Sequence, residues 1–259
     1  MINRDLIVKE IEKIAPLSLS LDYIKEGGYD NSGLLLDLDK EIKGILFTLD
    51  LTEKAVDTAL ENGCNMIVTH HPIIYSPLKS LGENTKSVVK AIQNNISVYS
   101  MHLSLDFSSE GVDFYLSKAI GDNKQEILCP MALESTGYGR IQTLSCTIES
   151  ICERLKDNGA KRIDVYKNGK EKVCKVASFC GGGLDDKMVE LSAREKVDCI
   201  VCSEPKHHLI VKCVEKGISL IVITHYASEN IGFFKAYEKL KTILCQEVNC
   251  LYFDDKELY

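Results

Sequence analysis

The chain has 259 residues, of which 45% are hydrophobic and 27% are charged. This length allows one large domain or two small ones, and the composition excludes a disordered, collagen-like or coiled-coil protein. The formal net charge of −7 argues against broad electrostatic binding of nucleic acid, and no apolar run approaches the roughly 20 residues of a membrane span.

Helices and strands alternate along the first 121 residues. Apolar side chains at a period of about 3.6 predict a helix over 3–15, and turn-forming residues predict a loop over 27–33. The other predicted elements of this half are a strand at 42–51, a helix at 53–62, a strand at 65–68, a helix at 84–94, a strand at 96–101 and a helix at 110–120.

The stretch 121–147 is predicted to be irregular and to contain a domain boundary. A basic segment at 167–172 looks like a hairpin turn. The predicted elements are a helix at 149–158, strands at 161–166 and 173–179, a helix at 186–196, a strand at 198–202, a helix at 205–216, a strand at 219–223, a helix at 227–240 and a strand at 248–253. This alternation predicts an α/β fold with mainly parallel sheets.

The eleven cysteines cannot form a fully paired disulfide framework, because their number is odd. The chain opens on the polar segment Met1–Leu6 rather than on a signal peptide, so we expect reduced thiols in a cytoplasmic protein. Cys199 and Cys202 form a C-x-x-C pair, but a zinc ribbon would need a second such pair. Their apolar strand favours packing in the core, and we expect no cysteine at a metal-ligand position.

Three predicted strand ends each present a histidine together with a carboxylate or a second histidine. The pairs are His70 with His71, His102 with Asp106, and His225 with Glu229. Ligand sites in open α/β sheets lie outside the carboxyl ends of the strands, where these pairs fall. In an extended chain His102 and Asp106 share a face, and on a helix His225 and Glu229 do.

Each pair alone also has a structural explanation. The first two histidines could be exposed loop residues, and His102 could be satisfied in the core while Asp106 caps a helix. Thr224 or Ser228 could cap the last helix, with Glu229 complementing its dipole. Taken together, these pairs without His102 supply five protein ligands, which are too many for one catalytic ion and suit two ions that share a carboxylate. His102 is a further candidate ligand. Imidazole and carboxylate donors favour Zn, Mn, Fe or Ni.

Two further segments follow strands and precede helices. Gly181–Gly183 could admit a phosphate to its backbone N–H groups, or form a tight turn. His207 and His208 could line the rim of a substrate pocket, or simply be exposed.

Six segments resemble the NIF-three-like proteins, also known as GTP cyclohydrolase I type 2 homologues. They occur in family order over nearly the whole chain, although Tyr29 stands where many members carry Trp and Thr224 where many carry Gly. The matching segments are Tyr29–Leu34, Val68–Pro72 with Ser76–Lys79, His102–Asp106, Cys180–Gly183, Ser203–His208 and His225–Glu229.

The resemblance implies two interlinked α/β domains with mainly parallel sheets and a dinuclear metal site between them. We place the domains at 1–125 plus 220–259 and at 126–219, and the resemblance implies a toroidal homohexamer of such chains. By motif match, the ligands of the two divalent ions are His70, His71, Asp106, His225 and Glu229.

We hypothesise a hydrolase of the GTP cyclohydrolase type that opens the ring of a purine nucleotide. In this hypothesis Glu229 or Asp106 bridges the ions, and His207 or His208 contacts the substrate. His102 is either the general acid or a residue that orients a metal ligand. The alternatives are a metal-dependent phosphoesterase and a non-enzymatic metal-binding adaptor or regulatory ring that binds a protein or DNA. The acidic charge argues against the DNA-binding form.

Overall fold

The computed structural model describes residues 1–255. The helices are α1 (Arg4–Ile14), α2 (Leu17–Lys25), α3 (Glu53–Glu61), α4 (Lys86–Gln93), α5 (His102–Asp106), α6 (Val112–Ile120), α7 (Ile148–Asp157), α8 (Asp186–Arg194), α9 (His207–Glu215) and α10 (His225–Leu244). The strands are β1 (Ile2–Asn3), β2 (Gly33–Leu36), β3 (Glu41–Ile42), β4 (Gly44–Thr48), β5 (Met66–Thr69), β6 (Ser97–Ser100), β7 (Gln125–Pro130), β8 (Gly137–Thr147), β9 (Ile163–Tyr166), β10 (Lys172–Ser178), β11 (Cys199–Ser203), β12 (Ser219–Ile223) and β13 (Asn249–Tyr252).

The chain divides into two compact units. Within the described residues, unit 1 comprises 1–108 and 233–255, and unit 2 comprises Ser109–Gly232. This division differs from the predicted boundaries at 125/126 and 219/220, and the last four residues of the predicted 220–259 segment lie outside the described residues. The physical reason is packing: α6 packs against β8 and β10, and β12 is an interior strand of the unit 2 sheet.

Unit 1 is built on a five-stranded sheet in the order β13-β4-β5-β6-β2. The first four strands are parallel and β2 is antiparallel to β6, so this sheet is mainly parallel as predicted. Every residue of β4 and β5 is buried, which is typical of parallel strands covered on both faces. Side chains of α3 and α4 complete the core on one side of the sheet, including Val56, Ala59, Val88 and Ala91.

Unit 2 is built on a six-stranded mixed sheet in the order β7-β8-β10-β11-β12-β9. Only β10, β11 and β12 are parallel to one another, and the other three strands pair antiparallel. The stretch 126–147 was predicted to be irregular, but most of it forms β7 and β8. The predicted hairpin at 167–172 was also wrong, because β9 pairs with β12 while β10 pairs with β8.

The core of unit 2 contains Cys202, and Cys199 is also fully buried. Burial raises the thiol pKa of both residues well above its usual range. The C-x-x-C pair therefore packs as apolar side chains in β11, as expected. Across residues 1–255, none of the helices combines the length and the hydropathy that crossing a membrane requires.

Candidate metal centre

Three histidine rings of unit 1 cluster at the carboxyl edge of its sheet. β5 and β6 are parallel neighbours with Thr69 opposite Ser100, so the residues that follow each strand meet. The ring centroid of His70 lies 4.9 Å from that of His71 and 5.6 Å from that of His102. The side chain of His70 is fully buried, so a positive charge on its imidazole would need an oppositely charged partner nearby.

Carboxylates lie beside both adjacent histidines. The Nε2 atom of His70 is 3.5 Å from Oδ1 of the buried Asp106. The Nδ1 atom of His71 is 2.8 Å from Oδ1 of Asp50, which follows β4, the other parallel neighbour of β5. A carboxylate on Nδ1 fixes the tautomer and orients a histidine for metal binding through Nε2.

His102 and Asp106 lie on one helical turn, α5, and not on the extended segment that we assumed. The i,i+4 spacing still places both side chains on the same side of the chain, whereas Ser104 turns away. The Nδ1 atom of His102 is 2.6 Å from Oδ1 of Asp30. Asp30 precedes β2, whose first residue pairs with Ser100 at the end of β6.

Asp30 is held as a carboxylate. Burial alone would raise its pKa, but hydrogen bonds from His102 and from the hydroxyl groups of Ser20 and Ser32 outweigh that effect and hold the pKa at about 2. The two serine Oγ atoms lie 2.5 and 2.6 Å from Oδ2 of Asp30. His102 therefore has a partner that remains charged at all physiological pH values.

His225 and Glu229 of unit 2 occupy the first turn of α10. Thr224 caps this helix, because its Oγ1 accepts a hydrogen bond from the N–H of Ala227. His225 Nε2 lies 3.1 Å from Oε1 of Glu229, which is almost fully buried, so the predicted same-face spacing is present. His225 Nδ1 lies 3.0 Å from Oε2 of Glu204, which follows β11, the parallel neighbour of β12.

The glycine segment after β10 lies against Glu229. A Cβ atom on Gly181 would come within 2.2 Å of Glu229 Oε1, so only glycine leaves room for this carboxylate. The N–H of Gly181 donates to Ser228 Oγ, and that of Gly183 donates to the carbonyl of Cys180. These two N–H groups already have partners within the chain, which favours a tight turn over a phosphate cradle.

Two other predicted residues lie at the surface. His207 and His208 begin α9 and are exposed. His208 Nε2 lies 3.4 Å from Oδ2 of Asp186 on α8, which also pairs with Lys212. The structure therefore gives His208 a surface contact and shows no contact between either residue and His225 in the described chain.

Four residues of the site were not predicted. Asp30, Asp50 and Glu204 each bind the Nδ1 atom of a histidine, and each lies within three residues of a strand end, which is the signal that could have identified them. The fourth is Cys180, whose Sγ lies within 4.8 Å of a Glu229 carboxylate oxygen.

The donors in each unit could bind a metal ion. Unit 1 offers His70 and His71 nitrogen atoms within 4.8 Å of each other, and Asp106 adds a buried carboxylate. Unit 2 offers the carboxylate of Glu229 with His225 and Cys180 beside it. Imidazole nitrogens and buried carboxylates, with further carboxylates fixing two of the histidine rings, fit a divalent transition-metal ion.

Comparison with known proteins agrees with these features. The profile of the Duf34/NIF3 (NGG1p interacting factor 3) family matches residues 2–257. The chain is 32% identical to a GTP cyclohydrolase 1 type 2 homolog of Clostridium acetobutylicum, covering 85% of this chain and 82% of that protein. It is also 32% identical to NIF3-like protein 1 of Drosophila melanogaster, covering 95% and 84%.

The fold is similar to that of solved structures. A Bacillus cereus protein related to NIF3 superposes with a TM-score of 0.85 at 19% identity, covering 97% of this chain and 96% of that one. At this identity the likeness concerns the fold alone. The profile match over nearly the whole sequence, together with the two relatives, shows that the chain belongs to the Duf34/NIF3 family.

Proposed function

We propose that the chain is a hydrolase that depends on two divalent metal ions. In this proposal the ligands are His70, His71, Asp106, His225 and Glu229, contributed by both units. The observation that carries the proposal is the fixing of His71 and His225 through Nδ1 by the carboxylates of Asp50 and Glu204. Metal-ligating histidines almost always donate their other ring N–H to a carboxylate, a backbone carbonyl or water, and both of these histidines have a carboxylate in that position.

The room left by Gly181 supports the same assignment. A side chain there would overlap the Glu229 carboxylate, which would hold the ions together with Asp106. Two divalent ions supply an acidified water molecule and polarise the bond under attack. The carboxylates of Asp50 and Glu204 hold the histidine rings in place, and the burial of Asp106 and Glu229 excludes water from their oxygen atoms.

We propose a purine nucleotide such as GTP as the substrate. The support is the name that the Clostridium relative carries, GTP cyclohydrolase 1 type 2 homolog. In such a reaction water attacks C8 and opens the imidazole ring of the purine. His102, paired with the charged Asp30, is suited to deliver a proton to the leaving nitrogen atom. His207 and His208, exposed at the start of α9, remain candidates for substrate contacts.

We also propose that the chains assemble into a toroidal homohexamer in the cytoplasm. The resemblance to the family supports the ring, and the eleven free thiols suit a reducing compartment. Native mass spectrometry should give six chain masses, whereas a monomer at working concentration would contradict the ring.

Metal content tests the ligand assignment. Protein purified without chelator should contain two divalent ions per chain by elemental analysis. His70→Ala and Glu229→Ala should reduce this to one or none, because each removes a donor in the proposed set. His207→Ala is the matched control and should retain both ions, since this histidine lies exposed outside the set. A wild-type protein without metal would overturn the proposal.

Turnover tests the reaction. Metal-loaded protein should convert GTP to a ring-opened product that chromatography separates, and a chelator should abolish the conversion until metal is restored. Metal-loaded protein that leaves GTP intact and hydrolyses phosphate esters would establish the phosphoesterase alternative. Metal-loaded protein that turns over neither class, and whose ring falls apart on chelation, would assign the ions a structural role.

A further inference from the structure

Two tyrosines of unit 1 form an aromatic pair that is not part of the core. Tyr29 and Tyr75 are each 48% exposed, although tyrosine rings bury readily when a core is available to them. Their ring centroids lie 5.0 Å apart at an interplanar angle of 70°. Aromatic edge-to-face contacts of this kind are favourable but do not require exposure to solvent.

Hydrogen bonds hold the pair rigidly. The hydroxyl of Tyr29 donates to the carbonyl of Tyr75, and the hydroxyl of Tyr75 lies 3.3 Å from the carbonyl of Tyr29, to which it donates. The side chain of Asn31 donates to the carbonyl of Ile74 and ties the same two loops together a second time. Both rings are therefore preorganised at the surface, so a ligand that covers them does not have to pay for their ordering.

The pair adjoins the histidine cluster. The ring centroid of Tyr75 lies 6.1 Å from that of His102 at 86°, and His102 in turn lies 5.6 Å from His70 and 5.9 Å from His71. The carboxylate of Asp30 contacts the Nδ1 atom of His102 and fixes the orientation of this ring. Neighbouring aromatic rings thus extend from the exposed tyrosines to the candidate metal ligands within unit 1.

We propose that Tyr29 and Tyr75 are a stacking platform for the planar heterocycle of the substrate, a nucleobase that binds beside His102. Stacking on preorganised aromatic rings recognises the π-face that every base offers and needs no charged partner. The position of the platform relative to the reaction rests on the proposed metal centre. The capacity of the platform to bind a base is independent of the metal centre, because the hydroxyl groups of both tyrosines bond to backbone carbonyls.

A fluorescent reporter tests the platform directly, because the chain contains no tryptophan. Tyr29→Trp introduces a single indole into the pair itself. Guanosine monophosphate should quench its emission saturably, in chelated as well as metal-loaded protein. Ribose 5-phosphate, which has the sugar and phosphate but no base, should not.

Second substitutions in the reporter separate stacking from folding. Tyr75→Ala should weaken binding of guanosine monophosphate at least about tenfold, because stacking on one aromatic ring accounts for that much. Tyr75→Phe retains the ring and should bind within about twofold of the reporter, with circular dichroism verifying the fold of both. Tyr166→Trp, made in the otherwise unchanged chain at an exposed tyrosine of β9, is the matched single-indole control and should show no saturable quenching.

The outcomes distinguish the two proposals. Absence of quenching by guanosine monophosphate, or equal quenching by ribose 5-phosphate, would overturn the platform whatever the metal content. Saturable quenching in protein that binds no metal would establish the platform while the metal-dependent hydrolase fails.

Discussion

Glu204 adopts a backbone conformation that side chains rarely tolerate, with a φ of 49°. For a residue other than glycine, this backbone conformation costs on the order of 1–3 kcal/mol of conformational free energy. It is retained only where the surrounding structure holds the residue in it. Here the strained turn after β11 directs a carboxylate to His225 Nδ1. The strained residue is thus the one that orients a proposed metal ligand, and strained backbone conformations cluster at functional sites of this kind.

Gly181 is the residue at which a single methyl group should damage the site. Its φ of 52° disfavours a side chain by about 1–2 kcal/mol, and the added Cβ would meet Glu229 Oε1 at 2.2 Å. Gly181→Ala should therefore lower the melting temperature by several degrees and reduce bound metal to one ion or none. Calorimetry and elemental analysis measure the two effects.

Gly182 provides the control in the same turn. A Cβ atom there would meet nothing within 4 Å, and its φ lies outside the left-handed region. Gly182→Ala should leave both stability and metal content close to wild type. Equal losses in the two variants would mean that the turn as a whole, and not contact with Glu229, is sensitive to substitution.

At the scale of elements, continuous apolar runs identified the central strands, because strands buried on both faces need such sequences. The strand ends also predicted where His70, His102 and His225 lie. Helix α5 was missed because five residues are too few to show a helical period. The partners of β8 and β9 could not be predicted, since pairing depends on distant segments and not on the turn at 167–172.

Thr224 stabilises the element that carries two proposed ligands. Its hydroxyl accepts the N–H of Ala227 in the first turn of α10, and replacing such a cap by alanine costs about 1 kcal/mol. Thr224→Ala should lower stability by this amount and weaken metal binding, because His225 and Glu229 lie in the turn that frays. Thr242→Ala, whose hydroxyl bonds back to Glu238 within the same helix, should change neither quantity. Urea denaturation and metal titration provide the comparison, and equal effects of both variants would exclude capping as the cause.

At the scale of the whole molecule, the two units differ in how the chain builds them. Unit 2 is a single continuous segment with all six strands of its sheet and its own core. Unit 1 needs a distant segment, because its edge strand β13 pairs with β4 and Leu251 packs against its core. The boundaries expected from sequence differ from this division, because it falls inside α10, where no change of composition marks it.

This difference predicts how fragments of the chain behave. A fragment of residues 109–232 should fold alone, because a domain with its own core and complete sheet is the usual independent folding unit. A fragment of residues 1–108 should not, because it lacks β13 and the part of α10 whose Phe233 contacts His70. Circular dichroism during heating should show a cooperative transition for the first fragment and none for the second. A cooperative transition for 1–108 would show that β13 and α10 are dispensable for unit 1, and failure of 109–232 to fold would show that unit 2 depends on the rest of the chain.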